Sequence, residues 1–423
     1  MRLFICFLFL TKLFFSQNLI LKNVTVIPIN HEVTIADCNV YIKNGRIEKI
    51  ENSLSKQFMK GYKIIDCKGK FLLPGLADMH AHFPVKDSPI KLKDYLKLNL
   101  AAGVTTLRSM RGEHKQLALR DSIANGLKIN SPEMYVSFVF PESDSLLTKE
   151  SIEKMVVDAK NNKYDFIKYL GGINETNFNY LVESCQRNDL PIEGHAYARS
   201  LEKSIDAGFA SLEHYQPLLA AYNKDSVNFR NILLNMKTKG VSFCPTLSFY
   251  HVFSFEYPEK TLLERNGMKY VSAKVKSAWL KEYNEALKTT KEKLNTDFES
   301  KYTDVYQQQF LKFDRIFKMA VITGVNVLLS PDDGIFNVPG FGMYEEMKLY
   351  KKAGFTNYQI LKCATYNAAV HFKQQKNWGS VEVGRKANLL LLNANPLEDI
   401  ENIKQVEATL LNGKYYSQNE LLK

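Results

Sequence analysis

The 423 residues are 45% hydrophobic, enough apolar material to bury a large core and to build two or three domains, or one barrel of about 250 residues with a smaller companion. That composition excludes an unfolded chain. The formal charge of +11 at pH 7 is carried by Lys and Arg interspersed with Asp and Glu, without a long block of either sign. It therefore describes a solvated surface and calls for neither nucleic acid nor an anionic membrane.

Met1-Arg2 and the apolar stretch Leu3 to Phe15, ending in Ser16-Gln17-Asn18, read as a secretory signal peptide over residues 1–16, with export to a periplasmic or extracellular space. Lys12 interrupts the stretch, Phe14-Phe15-Ser16 is a poor small-x-small cleavage site, and Cys6 has too little apolar chain before it for a lipoprotein signal. No later stretch approaches the roughly 20 apolar residues of a membrane-spanning helix. Cleavage after Ser16 removes Arg2, Lys12 and Cys6, which takes the charge from +11 to +9 and leaves five cysteines. Cys38, Cys67, Cys185, Cys244 and Cys363 show no Cys-x-x-Cys pairing, so buried thiols are expected. Cys38 and Cys67 are the one pair to check, since both fall in the same small β region.

Residues 17 to about 73 alternate apolar and polar positions in short runs, with Asn44-Gly45 as a hairpin turn before Arg46-Ile47-Glu48-Lys49-Ile50. A similar pattern returns in Ala387 to Asn393 and Val406 to Lys414. Residues 17–73 and 378–423 are thus expected to form one discontinuous β-sandwich domain. Between them, over 74–377, apolar strand-like runs alternate with helical segments. Eight strands are counted: Gly75 to His80, Val104 to Ser109, Met134 to Phe138, Phe166 to Tyr169, Ile192 to His195, Ser211 to His214, Val241 to Cys244 and Val325 to Ser330. They imply an α/β fold, a (β/α)8 TIM barrel with its active site at the carboxyl ends of the strands. The segment 258–323 reads as a two-helix insertion in the seventh unit, an outer layer or a lid over the barrel mouth.

Chemistry concentrates at those strand ends. The run Leu73-Pro74-Gly75-Leu76-Ala77-Asp78-Met79-His80-Ala81-His82 closes on two histidines spaced two apart, which a strand turns to one side. Lys168 ends strand four, His195 strand five and His214 strand six, and Asp332 follows strand eight. A lone histidine at a strand end is more often packing, but six such residues on one rim point to a metal centre. Alternation places Glu193 with His195, Leu212 with His214, and Leu328, Ser330 and Asp332 on common faces. An inward ammonium beside divalent ions is repelled, so Lys168 is expected neutral or modified, as a carbamate able to bridge two metals.

On these residues the chain resembles the amidohydrolase superfamily, in the branch of imidazolonepropionase-like proteins and metal-dependent Xaa-Pro dipeptidases (prolidases). The resemblance covers nearly all of the chain after residue 16. It rests on Pro74 to His82, Gly103-Val104-Thr105-Thr106-Leu107-Arg108, Phe166-Ile167-Lys168, Gly194-His195-Ala196, Leu212-Glu213-His214, Pro245-Thr246-Leu247 and the Asn395-Pro396-Leu397 turn. It implies two divalent metal ions, zinc first among them. One would be held by His80, His82, carboxylated Lys168 and Asp332, and the other by Lys168, His195 and His214. A hydroxide bridging the metals would attack an amide-type carbonyl in a dipeptide, an N-acyl amino acid or a cyclic amide, with Asp332 as general base and then general acid. Ser330-Pro331-Asp332-Asp333-Gly334 departs from the Gly-Thr-Asp usual in relatives; aligning Gly334 favours Asp332, with Asp333 the alternative.

Tyr169, Tyr197, Arg199, Arg111, Tyr250 and His251 lie just past strand ends as candidate substrate contacts, whereas His31, His114 and His371 receive no role. The expected partner is a small-molecule substrate, with no membrane insertion once the leader is removed and a homo-oligomer left open. Three other readings stand: a single-metal cyclic-amide hydrolase, a lactone or phosphotriester hydrolase using the same metal pair, and a non-catalytic binding module on the same barrel.

Overall fold

In the computed structural model, which describes residues 18–53, 60–294 and 302–423, the strands form two sheets. The leader expected at 1–16 lies outside the described residues. Five strands come first: β1 (Leu19–Val26), β2 (Ile35–Lys43), β3 (Arg46–Glu51), β4 (Lys63–Asp66) and β5 (Phe71–Pro74). Seven follow: β6 (Leu76–Ala81), β7 (Val104–Ser109), β8 (Glu133–Val139), β9 (Phe166–Tyr169), β10 (Ile192–Gly194), β11 (Ser211–Glu213) and β12 (Ser242–Cys244). The last are β13 (Leu389–Leu392), β14 (Val406–Leu411) and β15 (Lys414–Ser417).

The expected hairpin forms. Asn44 and Gly45 take φ of +51° and +75°, the left-handed pair whose twist matches a two-residue turn, and Lys43 faces Arg46 across it. Asn412-Gly413 makes the same turn between β14 and β15. The end sheet runs β15-β14-β13-β5-β1-β2-β3, with β4 also on β1, so strands from both chain ends interleave. Leu21, Val40, Leu72, Leu389, Leu391 and Leu410 share one buried cluster. One apolar face of this hydrogen-bonded path is therefore buried, each such leucine contributing roughly 2 kcal/mol. Cys38 and Cys67 belong to this cluster as free thiols, on segments that flank β1 from opposite edges.

Strands β6 to β12 are parallel neighbours in chain order. The eighth expected strand, Val325 to Ser330, is not regular: it makes one bridge, Val327 to Phe243. It still closes the ring, because Leu328 N donates to Phe243 O at 2.8 Å and Met79 N to Leu329 O at 3.2 Å. Side chains intercept the carbonyls a ladder would use: Asn367 Nδ2 donates to Val327 O (2.8 Å) and Tyr350 Oη to Leu328 O (2.6 Å). Pro331, next in line, has no N–H to offer.

The insertion contains the two expected helices, Ala273–Leu294 and Asp304–Thr323, after a short one at Glu259–Leu263. Phe310 and Phe313 pack on Tyr215, and Phe310 stacks on His251 at 3.9 Å, so the insertion lies against the loops that follow β11 and β12. Among the described residues no helix is long and apolar enough to cross a membrane.

Candidate metal centre

Parallel strands share a direction, so β6, β9, β10, β11 and the closing segment end on one rim. His80 lies in β6 and His82 one residue beyond it; Lys168 is in β9; His195 and His214 each follow their strand by one residue. Alternation does not explain His214. Leu212, expected to share its face, belongs to the main apolar core, whereas Ser211 and Glu213 turn into the barrel and reach Arg108. His214 would follow Leu212 outward, but its φ of +68° ends the strand and turns the imidazole in. Asp332 likewise has φ +56°.

The side chains converge on Asp332. Its Oδ1 lies 3.0 Å from His82 Nε2, and its Oδ2 lies 3.8 Å from both His80 Nε2 and His214 Nδ1. His195 Nε2 is 3.1 Å from His214 Nε2. Each of three imidazoles is tethered through Nδ1: His195 to Leu170 O (2.7 Å), His80 to Glu213 Oε2 (2.7 Å) and His214 to Thr246 Oγ1 (2.8 Å). A carbonyl only accepts, so His195 Nδ1 carries the hydrogen and its Nε2 presents a lone pair. Burial holds His80 and His214 well below the ordinary imidazole range and pushes His195 down to about 4, which leaves the neutral, ligating form.

Asp332 behaves oppositely. Burial would raise its pKa, but His80, His82 and Lys168 outweigh that and keep it a carboxylate. Asp333 is committed elsewhere, its Oδ2 accepting from His82 N (2.8 Å) and Tyr95 Oη (2.7 Å), so of the adjacent aspartates Asp332 faces the imidazoles.

Lys168 is the unusual member. Its Nζ is buried without a hydrogen-bond partner, and burial pushes the ammonium down to about 8 against the opposing pull of Glu213 and Asp332. Room for its stem comes from Gly194, with φ +133°, where an added Cβ would sit 3.1 Å from Lys168 Cδ and 2.1 Å from Tyr169 O. An orphaned amine, buried imidazoles held neutral and an ionised carboxylate fit a divalent metal ion. Among the described residues, His80, His214 and Asp332 bring one donor atom each within 4.8 Å of one another.

The other candidates divide. Because Lys168 faces into the barrel, Tyr169 faces out, packing on Phe178 and Phe209 at 5.4 and 5.8 Å. Tyr197 stacks on Phe178 at 3.8 Å, and His251 is held between Phe310 and the Glu256 carboxylate. These three side chains are buried in the wall around the centre. Arg111 is exposed in the turn after β7, and Arg199 ends the short turn Tyr197–Arg199. Tyr250 does reach the centre, its ring edge-on to that of His214 at 5.7 Å.

Sequence reasoning passed over the buried layer beneath the candidate ligands, formed by Arg108, Glu193, Glu213 and His371. Arg108 Nη1 and Nη2 donate to Glu193 Oε2 (2.7 Å) and Glu213 Oε1 (2.8 Å), and His371 Nε2 meets Glu193 Oε1 at 3.0 Å. Charged residues inside otherwise apolar strands were the available signal.

The model of the Amidohydrolase family matches residues 71–415, a range that includes all six candidate ligands. Among solved structures, a Xaa-Pro dipeptidase with methionine bound in its active site is similar at a TM-score of 0.68 and 17% identity, over 95% of this chain and 100% of that one. A bottromycin amidohydrolase reaches 0.72 at 18% identity, over 97% and 89%. At such identities the likeness is one of fold. An adenine deaminase of Listeria monocytogenes serotype 4b (strain F2365) is 34% identical over 92 residues, 22% of this chain and 14% of that protein, so the match spans a small part of that relative.

Proposed function

The chain belongs to the amidohydrolase family, hydrolases of carbon–nitrogen amide bonds, and from that premise we propose that it cleaves an amide-type bond in a small substrate with two divalent ions held at the barrel mouth. The observation that carries this reading is Lys168, a buried amine with no hydrogen-bond partner among histidines and a carboxylate. By adding carbon dioxide and losing a proton, the neutral amine would become a carbamate, an anionic oxygen donor suited to divalent metal. His80, His82, Lys168 and Asp332 would hold one ion, and Lys168, His195 and His214 the other.

When bound, the metals supply a polarised carbonyl and a water acidic enough to ionise near neutral pH. Asp332, kept ionised by its neighbours, accepts the proton of the attacking water and returns it to the leaving nitrogen as the carbon–nitrogen bond breaks. Tyr250 borders the site beside His214 and would contact the substrate. The likeness to a Xaa-Pro dipeptidase makes dipeptides and N-acyl amino acids the first substrates to test. Export through the leader belongs to the same proposal, and a mature amino terminus at Gln17 would support it.

One observation favours a single-metal enzyme: the His80, His214 and Asp332 group needs no lysine. Metal analysis separates the two. Protein reconstituted with zinc in bicarbonate should hold two equivalents, and Lys168→Ala at most one, with turnover of a dipeptide and N-acyl amino acid library lost. One equivalent in the wild type leaves the single-metal reading. Unchanged turnover in Lys168→Ala or Asp332→Ala would sink catalysis at this centre altogether.

A further inference from the structure

We propose that Arg108 and Glu213 form a positioning device that fixes which nitrogen of His80 faces the metal centre. A neutral imidazole carries one N–H and one lone pair, and the partner of one nitrogen decides the role of the other. His80 is 1% exposed, so water does not make that choice. Glu213 Oε2 lies 2.7 Å from His80 Nδ1. Its other oxygen is already engaged, accepting from Arg108 Nη2 (2.8 Å) and Ser211 Oγ (2.5 Å). The oxygen left for His80 is therefore an acceptor, and only the tautomer with hydrogen on Nδ1 satisfies it. The opposite tautomer would set a lone pair against a carboxylate oxygen in a site without solvent.

Arg108 also grips the strand that carries His80. Its Nε donates to the carbonyl of Met79, the preceding residue, at 2.5 Å. The same guanidinium thus holds the carboxylate and the backbone whose separation sets the imidazole's angle. Glu193 completes the anchorage: Oε2 accepts from Arg108, and Oε1 meets His371 Nε2, whose Nδ1 faces Ser242 Oγ at 3.0 Å. Every carboxylate oxygen of Glu193 and Glu213 has a partner, the condition under which a buried polar network orders its surroundings. His80 Nε2 is left pointing toward Asp332.

The inference rests on His80 being a metal ligand, but its first test needs no metal, so it can fail without touching the two-metal reading. Protein with 15N-labelled histidine, stripped of metal, reports each ring's tautomer by its nitrogen shifts, with His80 assigned by its loss in His80→Gln. The wild type should show hydrogen on Nδ1 of His80, and a resonance pattern with hydrogen on Nε2 overturns the proposal whatever any variant does. Glu213→Gln, which can present an amide N–H to Nδ1, should shift His80 toward the Nε2–H form. It should also weaken zinc binding, measured against a competing chelator, by about 10- to 100-fold. A merely structural role would lower the unfolding midpoint of metal-free Glu213→Gln while leaving tautomer and zinc affinity within twofold of wild type, and that result also overturns the proposal.

Discussion

Burying the Lys168 ammonium is unfavourable, and the cost depends on pH. Burial lowers its pKa from 10.5 to about 8 in the folded chain. Between those values the unfolded state binds more protons than the folded one, so stability rises with pH there by up to about 1.4 kcal/mol per unit. The lysine's full penalty, roughly 3 kcal/mol, holds below pH 8 and is gone above about 10.5. Lys168→Met should therefore be more stable than wild type near pH 7, both metal-free and without bicarbonate. The gap in urea midpoint should close as pH rises from 8 toward 10.5, and a gap independent of pH would show that Lys168 is not held as a buried base. The same shift serves carboxylation, because at pH 7 about one amine in ten is neutral, far more than an exposed lysine offers.

Among the elements, the closing segment of the barrel depends on side chains where its neighbours depend on backbone. Tyr350 is fully buried, and its hydroxyl satisfies the Leu328 carbonyl four residues before Asp332. Tyr350→Phe leaves that carbonyl without its donor and should lower the urea-derived stability by about 1–3 kcal/mol. Equal stability would mean that another donor reaches Leu328. This segment also shows where the sequence stopped being legible. Val325-Asn326-Val327-Leu328-Leu329 has the apolar run of a buried strand, but Tyr350 and Asn367, which take its carbonyls, are 22 and 40 residues away in the chain. The candidate ligands stood out because histidine and lysine seldom end apolar strands by chance, and Asn44-Gly45 because its turn chemistry is local. The inward turn of His214 was not, since a left-handed φ at a histidine has no sequence signature, and reading it as a strand residue hid the inward Glu213. The packing of Tyr197 and His251 was not legible for a related reason: their stacking partners, Phe178 and Phe310, are distant in sequence.

At the scale of the whole molecule, the two chain ends are tied into the barrel. Gly75 alone separates β5 from β6, Thr409 Oγ1 donates to Leu100 O at 2.6 Å, and Leu390 packs so closely on Gly103 that an added Cβ there would lie 2.7 Å from Leu390 Cδ1. Ile27, Leu390, Leu392 and Leu411 of the end region share one apolar core with Val104 and Leu107 of the barrel and Trp279 of the insertion. Chains of this size commonly unfold in steps, but a core continuous through all three parts favours one transition. The two tryptophans can decide it. Trp279 lies in the helix Ala273–Leu294 against Phe336, and Trp378 packs beside Phe372 in a cluster with Ala77 and Met79 of β6. In Trp279→Phe and Trp378→Phe, the fluorescence of the remaining tryptophan should follow the same urea midpoint as the circular dichroism of that variant. If Trp279 reports an earlier midpoint than the backbone signal, the insertion melts by itself, and its contacts with Tyr215 and His251 are weaker than the barrel they cover.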